Sequence, residues 1–429
     1  MDSIKISAAR RVKGELTPPP DKSISHRAVI FSSLANGTAA VRNFLRAQDT
    51  ESTVLAFRKL GVEIDDRGGH LVIHGKGLHG LSEPHDVIDC RNSGTTIRLL
   101  SGVLSGNPFF SVLTGDESLR RRPMARVITP LRSMGAEISG RGSDRYPPLA
   151  IRGKTLSAVR YTLPVASAQV KSAILLAGLY ADGVTAVTEP GKSRDHTERM
   201  LPAFGAKLSV DGLTVTVTGG GDLSPSDTDV PGDFSSAAFF LAAALLVPGS
   251  ELIVRNACLN PTRTGLLEVI RRMGGRISIE NTRTVSGEEI GDIVCSYSGR
   301  LRAVSVGAEE APSLIDEFPV LCALAAYADG VTSIRGAEEL RVKESDRISA
   351  MADGLRKMGA GIEEFPDGMA ISGRERLSGA VVDSHGDHRI AMSLAVAGLA
   401  AENTTEIANA GAVTISFPSF FEELGRLAS

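Results

Sequence analysis

The chain has 429 residues, 42% hydrophobic and 23% charged, the composition of a globular protein with room for about two domains. Its formal net charge of −3 excludes a globally basic nucleic-acid binder, and no apolar run reaches the ~18 residues of a membrane span. The cysteines Cys90, Cys258, Cys295 and Cys322 lack metal-ligand spacing and Met1-Asp2-Ser3-Ile4-Lys5 has no apolar leader, so reduced thiols in a soluble cytoplasmic protein are expected.

In chain order, Ile4 and Ile6 alternate as a short strand, and Thr17-Pro18-Pro19-Pro20 is too proline-rich for helix or central strand, so it reads as an extended crossing. Asp21-Lys22-Ser23-Ile24-Ser25-His26-Arg27 then opens a helix, with Ser23 or Ser25 expected as N-cap. From here the chain repeats one theme, clearest in Leu324–Glu364: buried helix, tight turn, strand, polar loop, amphipathic helix with a glycine C-cap, strand. The helix-to-turn half recurs at Leu34-Ala35-Asn36-Gly37, Leu104-Ser105-Gly106-Asn107, Leu179 to Gly183, Leu246 to Ser250 and Leu399 to Thr404. The glycine-cap half recurs at Leu60-Gly61, Met134-Gly135, Phe204-Gly205, Met273-Gly274 and Met358-Gly359, with a truncated copy at Leu424-Gly425.

The period of roughly 70 residues exceeds solenoid repeats, so each copy is a whole β/α unit. Units one to three occupy Asp21 to Asp229, and the break Val230-Pro231-Gly232-Asp233 opens units four to six. The expected domains are therefore 20–230 and 1–19 plus 231–429, the amino-terminal strand completing the second.

Each buried helix starts with polar residues: Lys22-Ser23, Asn92-Ser93-Gly94-Thr95, Ser167-Ala168-Gln169, Asp233, Asp316-Glu317 and Asp387-His388-Arg389. Second helices start with Arg120-Arg121-Arg122-Pro123, Ser193-Arg194-Asp195-His196 and Lys343-Glu344-Ser345-Asp346-Arg347. Helix N-termini carry unbonded N–H groups and partial positive charge, so a repeated face of them is an anion site. Arginines at such a start oppose the dipole unless a bound anion neutralises both. The histidines show no H-x-x-x-H pairing, and neither G-x-x-x-x-G-K-[ST] nor G-x-G-x-x-G after a strand occurs, which disfavours metal and nucleotide cofactors. Forked arginines with carboxylates and Lys22 point to a substrate with two or more anionic groups and to proton transfer.

These motifs resemble the EPSP synthase (3-phosphoshikimate 1-carboxyvinyltransferase) family over essentially the whole chain. The resemblance rests on Asp21 to Arg27, Asn92 to Arg98, Arg122-Pro123-Met124, Ser167 to Ser172, Arg341 to Arg347 and Gly386-Asp387-His388-Arg389. Ser167-Ala168-Gln169 and Ser193 to Glu198 are similar to the bacterial class less sensitive to glyphosate. The implied fold is a two-domain inside-out α/β barrel, each domain three βαβαββ repeat units, closing on substrate at a hinge. The implied reaction transfers the enolpyruvyl group of phosphoenolpyruvate to the 5-hydroxyl of shikimate 3-phosphate. It serves the shikimate pathway of aromatic amino acid biosynthesis, in a monomer without metal or organic cofactor and without nucleic-acid or membrane partners.

By the same resemblance, Lys22, Ser23, Arg27, Ser167, Ala168, Gln169, Arg194, Asp316 and Lys343 would bind shikimate 3-phosphate. Lys22, Gly94, Arg122, Gln169, Arg347 and Arg389 would bind phosphoenolpyruvate. Asp316 would take the hydroxyl proton and Glu344 would protonate the methylene carbon, assisted by Lys22. The chain departs from some members in having no lysine in Thr414-Ile415-Ser416-Phe417-Pro418, in Glu339, and in Leu99.

Two rival readings stand beside this. The UDP-N-acetylglucosamine enolpyruvyl transferase shares the fold but bears a loop cysteine, absent from Gly115 to Pro123. A non-catalytic phospho-ligand or RNA-end binder would gain nothing from Asp316 and Glu344, which oppose polyanions.

Overall fold

The computed structural model describes residues 3–429. The chain divides into two compact units. One holds Pro20–Pro231 with Val285–Glu288; the other holds the described residues through Pro19, Gly232–Thr284 and Glu289–Ser429.

Six apolar helices form the inner layers. Lys22–Leu34, Gly94–Ser105 and Ala168–Gly178 lie in the first unit, Phe234–Leu246, Phe318–Tyr327 and His388–Leu399 in the second. Their residues are buried almost all round, as helices wrapped on every side require. In the second unit the Tyr327 hydroxyl donates to the Ala397 carbonyl at 2.7 Å, tying two of these helices together.

Around the helices stand sheets of one repeated topology. In the first, Asn36–Arg42 pairs in parallel with Thr228–Asp229 and antiparallel with His70–Lys76, which pairs with Glu63–Asp66. The same order recurs with Phe110–Thr114, Val184–Thr188, Glu251–Cys258 and Val331–Ile334 in the place of Asn36–Arg42. The sixth sheet has three strands, Val381–Asp383 parallel to Thr405–Ala408, and Ser3–Ile6 antiparallel to it. Lys13–Leu16 is the outer parallel strand beside Glu251–Val254. Helices inside and sheets outside make this the inside-out α/β barrel.

The glycine caps reflect conformation. Gly61 and Gly359 take φ of 86° and 97°, values that side chains with a Cβ rarely adopt. Gly425 differs: it lies inside the helix Phe420–Leu427. The sheet that this last copy would extend is completed instead by Ser3–Ile6.

The first helix is capped by Asp21, not by Ser23 or Ser25. Asp21 is extended (φ −61°, ψ 123°) and its Oδ1 accepts the Ile24 N–H at 2.9 Å. A charged acceptor two residues ahead of Ser23 outcompetes the serine hydroxyls, and Ser25 Oγ instead accepts the Leu45 N–H at 3.2 Å. Asp21→Ala should lower stability by about 1 kcal/mol, visible as a lower melting temperature. An unchanged melting curve would return the cap to the serines.

The Arg120-Arg121-Arg122 run also departs from expectation. It forms a 3₁₀ turn, Leu119–Arg121, ahead of the helix Ala125–Ser133. Arg120 donates to the Gly115 carbonyl and Arg121 pairs with exposed Glu117. Arg122 alone of the three is buried.

Candidate functional site

Five helix starts carry the expected residues of the first unit. Lys22 lies in the first turn after the Asp21 cap, and its Nζ meets Asp49 Oδ2 at 2.8 Å. His26 Nε2 lies 3.2 Å from the other Asp49 oxygen, and its Nδ1 pairs with Thr53 Oγ1 at 2.7 Å. Burial works to raise the Asp49 carboxyl, but Lys22 and His26 overcome it and hold it well below the usual range.

Arg27 is 3% exposed. Its guanidinium donates to Thr197 Oγ1 at 2.7 Å, the Ser23 carbonyl at 3.0 Å and Ser172 Oγ at 2.9 Å. Burial pulls it down to about 10, against the opposing pull of Glu198. Arg27 thus sits behind the helix start, holding Ser23 through its backbone.

A second knot joins Gly94, Arg122 and Gln169. Ser93 caps the Gly94 helix by accepting the Thr96 N–H at 3.0 Å. Arg98 Nη1 donates to the Gly94 carbonyl at 3.2 Å and to Gln169 Oε1 at 2.7 Å, and Gln169 Nε2 reaches Thr95 Oγ1 at 3.1 Å. Arg122 Nη2 donates to Asn92 Oδ1 at 2.6 Å. A methyl group on Gly94 would lie 2.7 Å from Arg98 Nη1 and 2.9 Å from Arg122 Nη1, so the glycine lets two guanidiniums crowd one helix start. Ser167 is the N-cap residue of the Ala168 helix, with Ala168 and Gln169 in its first turn; Arg194 is half-buried in the loop before the helix His196–Met200.

In the second unit Arg347, 1% exposed, opens the helix Arg347–Lys357. Its Nε donates to Asp387 Oδ2 at 2.8 Å, Nη1 to Asp316 Oδ1 at 3.2 Å and Nη2 to Glu344 Oε2 at 2.6 Å. Those carboxylates drive its pKa above the ordinary arginine value although burial opposes them. Arg389 holds the other side of Asp316, 3.3 Å from Oδ2, and donates to its backbone carbonyl at 3.1 Å. Asp387 caps the His388 helix by accepting the Arg389 N–H at 2.9 Å. Burial would raise the Asp387 carboxyl, yet Arg347 keeps it lowered. Lys343 Nζ lies 3.4 Å from Glu339 Oε2, so Glu339 acts on Lys343 in this chain.

Asp316, Glu344, Arg347 and Arg389 therefore form one cluster. Lys22, Ser23 and Arg27 form a second, and Gly94, Arg122 and Gln169 a third. Sequence alone assigns Asp49 and Arg98 no role, and it marks Asn92 and Asp387 only as members of polar helix starts. Arg98 and Asp387 lay inside quoted motifs; Asp49 had no periodic or spacing signal. Among the described residues, Glu63, Asp65 and His74 could together face a metal ion; they lie on a partly exposed hairpin, where Asp65 already meets Arg67 at 3.3 Å.

An inside-out α/β chain whose helix starts carry arginines, lysines and paired carboxylates has the fold of the enolpyruvyl transferases. The EPSP synthase (3-phosphoshikimate 1-carboxyvinyltransferase) family matches residues 6–424. The chain is 55% identical over 426 residues to a 3-phosphoshikimate 1-carboxyvinyltransferase of Pelobacter propionicus, covering 99% of each. It is 54% identical to that of Geobacter sulfurreducens over 428 residues, 100% of each. A solved EPSP synthase structure from Acinetobacter baumannii superposes with a TM-score of 0.88 at 45% identity, over 100% of this chain and 98% of that one. The chain belongs to the EPSP synthase family.

Proposed function

We propose that this chain transfers the enolpyruvyl group of phosphoenolpyruvate to the 5-hydroxyl of shikimate 3-phosphate, yielding 5-enolpyruvylshikimate 3-phosphate and phosphate. The observation that carries the chemistry is Asp316 held by Arg347 and Arg389, with Glu344 on the same Arg347 guanidinium. Shikimate 3-phosphate is bound by Lys22, Ser23, Ser167, Ala168, Gln169, Arg194, Asp316 and Lys343, with Arg27 supporting Ser23. Phosphoenolpyruvate is bound by Lys22, Gly94, Arg122, Gln169, Arg347 and Arg389.

The carboxylate and phosphate of phosphoenolpyruvate compete with Asp316 and Glu344 for guanidinium donors. Once an anion takes those donors, the two carboxyl groups gain freedom to move protons. Asp316 accepts the 5-hydroxyl proton as that oxygen bonds to C2, and Glu344 gives a proton to the C3 methylene, producing a tetrahedral adduct. Loss of a proton from C3 and of phosphate from C2 then restores the double bond as an enol ether. Lys22, fixed by Asp49, stabilises charge on the departing phosphate.

The chain works as a monomer in the cytoplasm on small molecules; its four cysteines are buried thiols, which supports a reducing compartment. No helix among the described residues is long and apolar enough to cross a membrane. Mixing both substrates with the full chain should release phosphate, whereas either alone should not. Turnover of UDP-N-acetylglucosamine in place of shikimate 3-phosphate would overturn the assignment.

Gly94 gives a separate test. Gly94→Ala places a methyl against the guanidinium ends of Arg98 and Arg122, which are flexible enough to move without unfolding the helix. The expected result is a KM for phosphoenolpyruvate raised by about tenfold or more with a nearly unchanged melting temperature. A normal KM with a lowered melting temperature would make Gly94 a packing residue only.

A further inference from the structure

We infer that Lys171 is a positioning residue for shikimate 3-phosphate, joining three separate chain segments that carry that substrate's ligands; the inference rests on the substrate reading above. Lys171 lies in the first turns of the Ala168 helix, just after Ser167, Ala168 and Gln169, and is 1% exposed. Its Nζ sits 2.7 Å from Glu189 Oε2 and 2.5 Å from Glu198 Oε1.

Each carboxylate belongs to another segment. Glu189 accepts the Ser193 backbone N–H at 3.4 Å and its hydroxyl, which fixes the loop immediately before Arg194. Glu198 stands beside Thr197, whose hydroxyl accepts from Arg27 Nε. One ammonium with three donors thus sets the Gln169 helix start, the Arg194 loop and the support of Arg27 relative to one another.

The cluster is built tightly but not packed over. A cavity of about 280 Å³ borders it, lined by Lys171, Glu189, Lys192, Asp195, Glu198 and Arg199 among others. Glu198 Oε2 faces no hydrogen-bond partner among the described residues, and burial raises the Glu198 carboxyl while Lys171 opposes that rise. Removing the lysine side chain therefore leaves charged walls and room for a small cation to replace it.

The test uses the full chain, with calorimetric titration of shikimate 3-phosphate and steady-state phosphate release. Lys171→Ala should raise the Kd and KM for shikimate 3-phosphate by about tenfold or more, since small misplacements of binding groups are costly. The KM for phosphoenolpyruvate should rise much less, because Gln169 is the one ligand of that substrate on the segments that Lys171 joins, whereas shikimate 3-phosphate draws ligands from all of them. Ethylammonium, compared with sodium at equal ionic strength, should restore part of the lost affinity by occupying the vacated space. If Lys171→Ala does not fold, Glu189→Gln keeps the volume and weakens the same junction, with the same split expected between the two substrates. A folded variant with unchanged shikimate 3-phosphate affinity would overturn the role. So would equal rises in both KM values without recovery in ethylammonium. If the unaltered chain binds no shikimate 3-phosphate, the substrate reading itself fails and takes this role with it, a result told apart because it appears before any substitution.

Discussion

Replacing Glu344 by Gln is expected to lower turnover by ~10²-fold or more while both substrates still bind, the loss set by one missing proton donor. Glutamine keeps the volume and an oxygen that can accept from Arg347 Nη2, now 2.6 Å from Glu344 Oε2. Geometry is therefore conserved and the transferable proton alone is removed. Steady-state kinetics with calorimetric binding decides the matter. Near-normal kcat would take Glu344 out of the proton path, and a large loss of binding would recast it as an anchor for Arg347.

Arg347→Met should do most of its damage to stability. Arg347 is 1% exposed and holds Asp316, Glu344 and fully buried Asp387. Removing it leaves Asp387 buried without its guanidinium, at a cost of about 3–5 kcal/mol. Arg347→Lys keeps the charge but cannot span three carboxylates. It should retain more stability yet still weaken phosphoenolpyruvate binding, with shikimate 3-phosphate affinity nearly intact. Denaturant melts and separate titrations of the two ligands check both parts. Equal losses for the two ligands in Arg347→Lys would assign this arginine to neither one specifically.

The repeated architecture was legible because its signals are local. A glycine with positive φ after an amphipathic helix, as at Gly61 and Gly359, needs only its neighbours to be recognised. Ser93, Asp346 and Asp387 also cap their own helices through local contacts, although no cap was expected at these three positions. Charges whose meaning depends on distant chain were harder to read. Asp49 matters through Lys22 and His26, and no spacing in the sequence marks it. Arg98 stood in a quoted motif, but its bond to Gln169 crosses from one repeat to the third. Arg120 and Arg121 looked equal to Arg122, and only the fold separates the surface pair from the buried one. Cap choice in the first helix failed for a subtler reason: serine statistics favour Ser23 or Ser25, while the carboxylate of Asp21 occupies the required extended position.

The placement of Ser3–Ile6 against Thr405–Ala408, and of Lys13–Leu16 against Glu251–Val254, governs the order of assembly. These strands precede the unit Pro20–Pro231 in the chain, yet their partners follow it. Pairing across hundreds of residues closes a large loop and is entropically late. The unit Pro20–Pro231 can gather its three helices while the leading strands still lack partners. The strands Ser3–Ile6 and Lys13–Leu16 thus serve as a latch that fastens late in folding. Severing them should leave an unsatisfied sheet edge along Thr405–Ala408, the kind of exposed strand that recruits other chains.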